Sequence, residues 1–565
     1  MGLRGILQIQ FPYQHQVIFR RLLLQVRGQD PGMQNFPDLG RFICQALLAG
    51  SMDRFRDDLT GETIVESRLL IRRNRNFGVL QRFVQGCKPS GRKMFLSPAS
   101  FDLVECIGLK RFEKKGAEPA PFLRGSSEQV KQTILRIKAL CARFGGVLDA
   151  PPARRFNSCM HFVTHLECAQ CGQRYDASTI QNLCATCQRP LWVRYDLEAL
   201  REKFDRRVLF GRPPTLWRYL ELLPMVDPAN IVSLTETITP ILELKRIGSE
   251  FGLDHLYVKD ESRLPTGSFK ARGMALAISK AKELGISKVA VPTAGNAGGA
   301  MAAYAARAGM EAYVFMPEDT PAINQKECYL AGAKTFLLNG LITDCGKLVG
   351  EGKPIKGWFD VSTLKEPYRI EGKKTMGLEL AEQFDWQLPD VILYPTGGGT
   401  GLIGMWKAFA ELEALGWLKP GRKPRMISCQ SDGCAPIATA FARGDRFAAK
   451  FENAATIASG LRVPAAVGDF MILDAVRASG GVALATPEAE IPGWMRHVCS
   501  REGLAICPET AVCFSALKQL LAEGKIGRTE RVVIFNTGAA QKYPEAVSET
   551  LPRLDLNRPI DWEMI

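Results

Sequence analysis

A lysine follows a short Gly/Ser turn in Thr266-Gly267-Ser268-Phe269-Lys270-Ala271-Arg272-Gly273, and an apolar run, 274–278, lies behind it. Alone, this is a solvated lysine at the mouth of a helix. Two later segments change that reading. Pro292-Thr293-Ala294-Gly295-Asn296-Ala297-Gly298-Gly299 and Pro395-Thr396-Gly397-Gly398-Gly399-Thr400-Gly401 each follow a β-rich run and open a helix. Consecutive glycines let backbone N–H groups converge on a phosphate, the helix start adds its positive end, and Thr400 offers a hydroxyl. A Schiff-base amine, a polar Gly-Asn turn and an anion cradle are together the parts needed to hold pyridoxal phosphate.

Each part has a rival. Lys270 could be an ion-paired lysine at a helix N-terminus, and Asn296 an ordinary turn asparagine. Gly399-Thr400-Gly401-Leu402-Ile403-Gly404 also matches the dinucleotide pattern GxGxxG. That reading wants an acid about 20 residues on, at the end of the next strand. Here the next strand runs to Gln430-Ser431-Asp432, about 30 residues on, so the fit is poor. Thr537, in the turn after an apolar run at 531–535, could hydrogen-bond a pyridine nitrogen without protonating it. In the body beyond the cysteine module only His255 and His497 occur, which argues against histidine-driven catalysis.

The elements that must position these groups alternate. Strands are expected at 254–259, 288–292, 311–316, 391–394, 425–430 and 531–535. Helices are expected at 270–284, 297–308, 374–384 and 402–415. Such alternation means βαβ units and a mostly parallel sheet. Ahead of them Cys168-x2-Cys171, twelve residues, then Cys184-x2-Cys187 offers four thiolates at a spacing that can enclose one structural Zn²⁺. Redox dithiols or a metal-free remnant are the rival readings. His161 and His165 could substitute as ligands, but four cysteines already complete a site.

At 565 residues the chain is long enough for two or more domains. Its net charge of +14 is not spread evenly: 1–159 carry 26 Lys+Arg against 13 Asp+Glu, and 160–565 carry 47 against 46. A neutral body suits a small-molecule enzyme rather than a nucleic-acid binder. The basic segment 1–159 contains one helical pattern, at 130–144. It is either an accessory domain or the product of an upstream start, with Met160 as the first residue; the second is favoured. Apart from the paired motif, the 16 cysteines are scattered, which points to a reducing, cytoplasmic setting. The longest uncharged stretch in the body, 289–306, is broken by Pro292, Asn296 and glycines, so no membrane span is expected.

From about residue 166 to 545 the chain resembles the threonine synthase family of pyridoxal phosphate enzymes. It shares Ser268-Phe269-Lys270, Gly295-Asn296, Pro367-Tyr368-Arg369-Ile370-Glu371-Gly372-Lys373-Lys374-Thr375, Gly433-Cys434-Ala435-Pro436-Ile437 and Thr537-Gly538. The resemblance implies a fold type II (tryptophan synthase β-like) α/β body of two parallel-sheet domains behind an N-terminal zinc-ribbon-like module. The module would span 160–197 and the catalytic body 198–565, with a smaller domain at about 285–390. Lys270 would carry the cofactor and shuttle protons, Asn296 would meet the ring oxygen, and Gly397, Gly398, Gly399, Thr400 and Gly401 the cofactor phosphate. Thr537 would meet the ring nitrogen, and Arg369 would grip a substrate phosphate. The implied reaction is O-phosphohomoserine plus water to threonine plus phosphate, in an expected homodimer. The alternative is a β-eliminating lyase such as a threonine dehydratase or a diaminopropionate ammonia-lyase. Departures from the family pattern bear on the substrate. Ala271 stands where these synthases usually carry Asp, and the phosphate loop is GGGTG rather than GNAGN. Ala294 and Ala297 flank the Gly-Asn pair where a Ser or Thr is usual, leaving Thr293 as the nearest hydroxyl for a substrate carboxylate.

Overall fold

The computed structural model describes residues 161–547, 549, 551–554, 557–560 and 562. The basic segment 1–159, with the helix expected at 130–144, and Met160 lie outside the described residues.

The described chain opens with β1 (Val163–Cys168), β2 (Arg174–Tyr175) and β3 (Leu191–Tyr195). They form an antiparallel sheet in the order β2-β1-β3. Helix α1 (Leu197–Lys203) follows, then β4 (Ile241–Glu243), α2 (Lys245–Phe251) and β5 (His255–Asp260). Helix α3 (Lys270–Glu283) leads into a second sheet. That sheet is laid down by β6 (Lys288–Pro292), α4 (Asn296–Ala308), β7 (Glu311–Pro317), α5 (Ala322–Leu330), β8 (Lys334–Leu338), α6 (Ile342–Lys356) and β9 (Phe359–Asp360). Its order is β8-β7-β6-β9, parallel throughout.

The chain returns through α7 (Tyr368–Gln383), β10 (Val391–Pro395), α8 (Thr400–Ala414), β11 (Arg425–Ser431) and α9 (Pro436–Arg443). Helix α10 (Asp469–Ala478), β12 (Ala483–Thr486), α11 (Ile491–Glu502), α12 (Pro508–Ala522) and β13 (Arg531–Asn536) complete a third sheet, ordered β12-β11-β10-β13-β5-β4. Only β4 runs antiparallel in it. Its central strand β10 is apolar along its whole length because helices cover both faces, and every residue of it is buried. Among the described residues no helix is long and apolar enough to cross a membrane.

The expected strands and helices occur within a residue or two of their ends, with one instructive exception. The helix expected from 374 begins at Tyr368. The Glu366 carboxylate accepts the N–H groups of Tyr368 at 2.7 Å and Arg369 at 3.1 Å, satisfying two donors of the first turn. The Pro367–Thr375 motif is therefore the first turns of α7, and Arg369 rides on them. Behind Lys270, the fully buried Arg272 ties α3 to its neighbours. It donates to Glu261 at 2.6 and 2.9 Å, to Glu379 at 2.5 and 2.8 Å, and to Thr375 at 2.9 Å. Both carboxylates are fully buried too, so the cation is matched where an unmatched charge would be costly.

Candidate active site

One cavity of about 750 Å³ opens at the carboxyl ends of β6, β10 and β13. That is where ligands sit in open α/β sheets. Lys270, Thr293, Asn296, Arg369, Gly397 through Gly401 and Thr537 all line it. Of the five cations that line it, Lys347, Lys365 and Arg462 are paired with Asp344, Asp360 and Asp319, which leaves Lys270 and Arg369 without an ion pair among the described residues.

Lys270 is the first residue of α3. Its amine lies 4.0 Å from the centre of the Phe269 ring, and among the described residues no hydrogen bond or ion pair reaches it. Burial, reinforced by the charge of Arg369, pushes the amine down to about 8. A neighbouring amine, Lys373, is fully buried, donates to the Phe269 carbonyl and lies 4.4 Å from the same ring. The turn before Lys270 is pinned to the end of β13, where Phe269 N–H donates to Thr537 O at 3.0 Å. That contact fixes the amine and the Thr537 hydroxyl on one wall.

The glycine loop has no room for side chains. A Cβ on Gly397 would meet Gly460 O at 2.5 Å, on Gly398 the Thr363 methyl at 2.7 Å, and on Gly401 the Tyr394 hydroxyl at 1.9 Å. Gly399 sits at φ +72° and caps α8, and it lines the cavity together with Thr400 and Gly401 of that helix start. A bare backbone cradle at a helix start fits a phosphate. The dinucleotide reading gains nothing: Asp432 accepts the N–H of Glu488 at 2.9 Å, and Gly404 packs on Lys373.

Asn296 is buried, donating to Tyr543 Oη at 2.7 Å and accepting from Asn324 at 3.1 Å. Thr537 Oγ1 lies 3.6 Å from Cys507 Sγ. Thr293 is drawn into its own turn, its hydroxyl accepting from Gly295 N at 3.1 Å and donating to Gly295 O at 2.9 Å. Arg369 is 1% exposed. It donates Nη1 to Val361 O at 2.7 Å, while its Nε is buried with no partner. No carboxylate among the described residues forms an ion pair with it.

Ser459, Glu509, Tyr394 and Tyr543 also line the cavity and were not singled out by the sequence. Tyr394 alone carried a signal, as the residue just before the glycine loop. Away from the cavity, the sulfurs of Cys168, Cys171, Cys184 and Cys187 all lie within 4.8 Å of one another. Cys168–Cys187 at 3.4 Å, Cys171–Cys184 at 3.6 Å and Cys171–Cys187 at 3.7 Å are close to the edge of about 3.8 Å in a tetrahedral Zn–S₄ site. His165 instead approaches Glu167 at 3.4 Å.

A sequence profile of the family described as pyridoxal-phosphate dependent enzyme matches residues 232–538. The chain belongs to that family. Pyridoxal phosphate is the cofactor of that family, and the unpaired amine and glycine loop of this cavity fit it. Curated relatives of this pyridoxal-phosphate dependent enzyme include the threonine synthases of Methanocaldococcus jannaschii and Methanosarcina acetivorans. The first is 36% identical over 67% of this chain and 93% of its own length. The second is 34% identical over 68% and 93%. The threonine synthase of Halalkalibacterium halodurans is 30% identical over 60% and 91%. A solved structure of diaminopropionate ammonia lyase from Escherichia coli superimposes with a TM-score of 0.49, at 20% identity, over 56% of this chain and 88% of that one.

Proposed function

We propose that this pyridoxal-phosphate dependent lyase is a threonine synthase, converting O-phosphohomoserine and water to threonine and phosphate. The observation that carries the reading is Arg369, a buried guanidinium in the same cavity as the Lys270 amine that forms no ion pair among the described residues; Glu366 and Asp360 act on its charge without bonding to the guanidinium. A buried, unpaired cation is costly unless a ligand supplies the missing charge. The planar fork suits a phosphate, and a substrate with an amine at one end and a phosphate at the other spans the two groups. Relatives at up to 36% identity that are threonine synthases support the same assignment.

When bound, pyridoxal phosphate supplies the electron sink that makes the substrate's Cα–H bond acidic. The chain does the rest. Gly397 through Gly401 would hold the cofactor's phosphate, Asn296 would meet its ring oxygen, and the Thr537 hydroxyl would meet its ring nitrogen without protonating it. Lys270 loses its proton more easily because it is buried, and it would hold the cofactor through its amine. The same amine would take the Cα proton, move a proton from Cβ to Cγ as the phosphate leaves, and return one to Cα. Arg369 holds the phosphate that departs from Cγ, and water then adds at Cβ.

The four clustered cysteines are assigned a structural Zn²⁺ in a zinc-ribbon-like module at 160–197, with the catalytic body at 198–565 and its smaller domain at about 285–390. The compact arrangement of four sulfurs on a small antiparallel sheet supports this. Thiols dispersed through the body support a reducing, cytoplasmic setting. Steady-state assays test the function. Turnover of O-phosphohomoserine to threonine and phosphate is expected; turnover of threonine or diaminopropionate, with none of phosphohomoserine, would replace this reading by a β-eliminating lyase.

A further inference from the structure

The turn at Gly295–Ala297 lacks a free hydroxyl. Ala294 and Ala297 carry none, and Thr293 Oγ1 is occupied by Gly295 on both sides. Yet the turn opens α4, so the N–H groups of Asn296 and Ala297 have no partner within the helix. Across from it stands Ser459, on a short 3₁₀ turn more than 160 residues further along. Its Oγ is buried with no hydrogen-bond partner, and it would lie 3.6 Å from a Cβ placed on Gly295.

The loop carrying Ser459 is anchored. Gly460 N–H donates to Glu509 Oε1 at 2.9 Å, and Ser459 N–H donates to Ile457 O at 2.9 Å. Three residues after Ser459, Arg462 forms a two-pronged ion pair with Asp319 at 2.7 and 2.8 Å, binding the loop to the turn ahead of α5. A Cβ on Gly460 would meet Glu509 Oε1 at 2.7 Å, so the loop passes close over that carboxylate. A hydroxyl buried without a partner, on a tethered loop facing unpaired backbone donors, is a group waiting for an acceptor.

We propose that Ser459 donates its hydroxyl hydrogen to the α-carboxylate of the amino-acid substrate, completing from a distant loop the site that the 293–297 turn leaves without a side-chain donor. The Ser459 hydroxyl and the Asn296 and Ala297 N–H groups converge on that carboxylate. Ser459 thereby selects α-amino acids over amines. The inference rests on the reading of this cavity as a pyridoxal-phosphate site for an amino acid, and not on which amino acid it is.

The test uses the cofactor-loaded enzyme and follows its absorbance on titration with L-serine and with ethanolamine, the same molecule without the carboxylate. Wild type should bind L-serine more tightly. Ser459→Ala should weaken L-serine by about ten- to a hundredfold, the size of one hydrogen bond to a charged group, and leave ethanolamine unchanged. Ser459→Thr, which keeps the hydroxyl, should restore most of the loss, and cofactor content should stay the same throughout. Equal weakening of both ligands, or no weakening of L-serine, overturns the proposal. Wild type that discriminates in this Ser459-dependent way but does not turn over O-phosphohomoserine supports the hydroxyl's role and rejects the substrate assignment alone.

Discussion

A Cβ on Gly401 would fall 1.9 Å from the Tyr394 hydroxyl and 2.2 Å from the ring carbon that bears it. The tyrosine therefore fills the place that any side chain at 401 would take. Tyr394 is 1% exposed, its hydroxyl has no partner, and its ring meets Phe269 edge-on at 6.1 Å. Phosphate cradle and lysine turn are thus packed through one aromatic pair.

Gly401→Ala should push Tyr394 against Phe269 and open the cradle. Overpacking of this kind costs about 1–3 kcal/mol. Cofactor affinity should fall at least about tenfold, and Tyr394→Leu in the same chain should recover part of it. Cofactor titration and thermal unfolding check both changes; unchanged affinity in Gly401→Ala would show that the cradle does not depend on this contact.

The amine of Lys270 should become nucleophilic near pH 8, well below the usual lysine range. Below that pH the proton blocks attack on an aldehyde; above it the lone pair is free. Borohydride trapping of pyridoxal phosphate on cofactor-free protein, followed against pH, should show a midpoint near 8. Because the positive charge of Arg369 helps to lower this pKa, Arg369→Ala should move the midpoint upward. Lys270→Ala should give no trapped adduct and no visible imine band.

Arg369→Ala should lower kcat/KM for O-phosphohomoserine by about ten- to a hundredfold, the range for losing hydrogen bonds to a charged group. Arg369→Lys should keep the charge but lose the fork, and fall between. Cofactor binding should survive in both. Full turnover in the alanine variant would mean that the substrate phosphate is bound elsewhere.

The cysteine-bearing segment meets the rest of the chain at several points, Tyr195 and Asn182 among them. Tyr195 Oη donates to Glu371 of α7 at 2.7 Å. Asn182, between the cysteine pairs, donates to Asp360 O at 2.9 Å and Lys365 O at 2.8 Å. Elemental analysis should find about one zinc per chain. Chelation, or Cys168→Ser with Cys187→Ser, should lower the unfolding temperature and loosen 360–369, seen as faster hydrogen exchange there. Metal-free protein with unchanged stability and exchange would count against a structural metal.

The sequence by itself carried the parts that lie in one short stretch of chain. Lys270 after its turn, Asn296, the loop 397–401 and the two cysteine pairs are contiguous motifs at strand–loop–helix junctions, so spacing alone marks them. Strand and helix placement was legible for the same reason, because periodicity is a local property. Three things were decided only by the tertiary structure. The start of α7 depends on the Glu366 carboxylate capping its first turn. The Thr293 hydroxyl, free on paper, is consumed by its own turn, and the unpaired hydroxyl facing that turn comes from Ser459. Arg369 matters because no acid among the described residues pairs with it, and pairing depends on which side chains folding brings within a few ångströms. Residue type and spacing announce which groups can do chemistry; burial and partners, set by packing between distant segments, decide which are left free to do it.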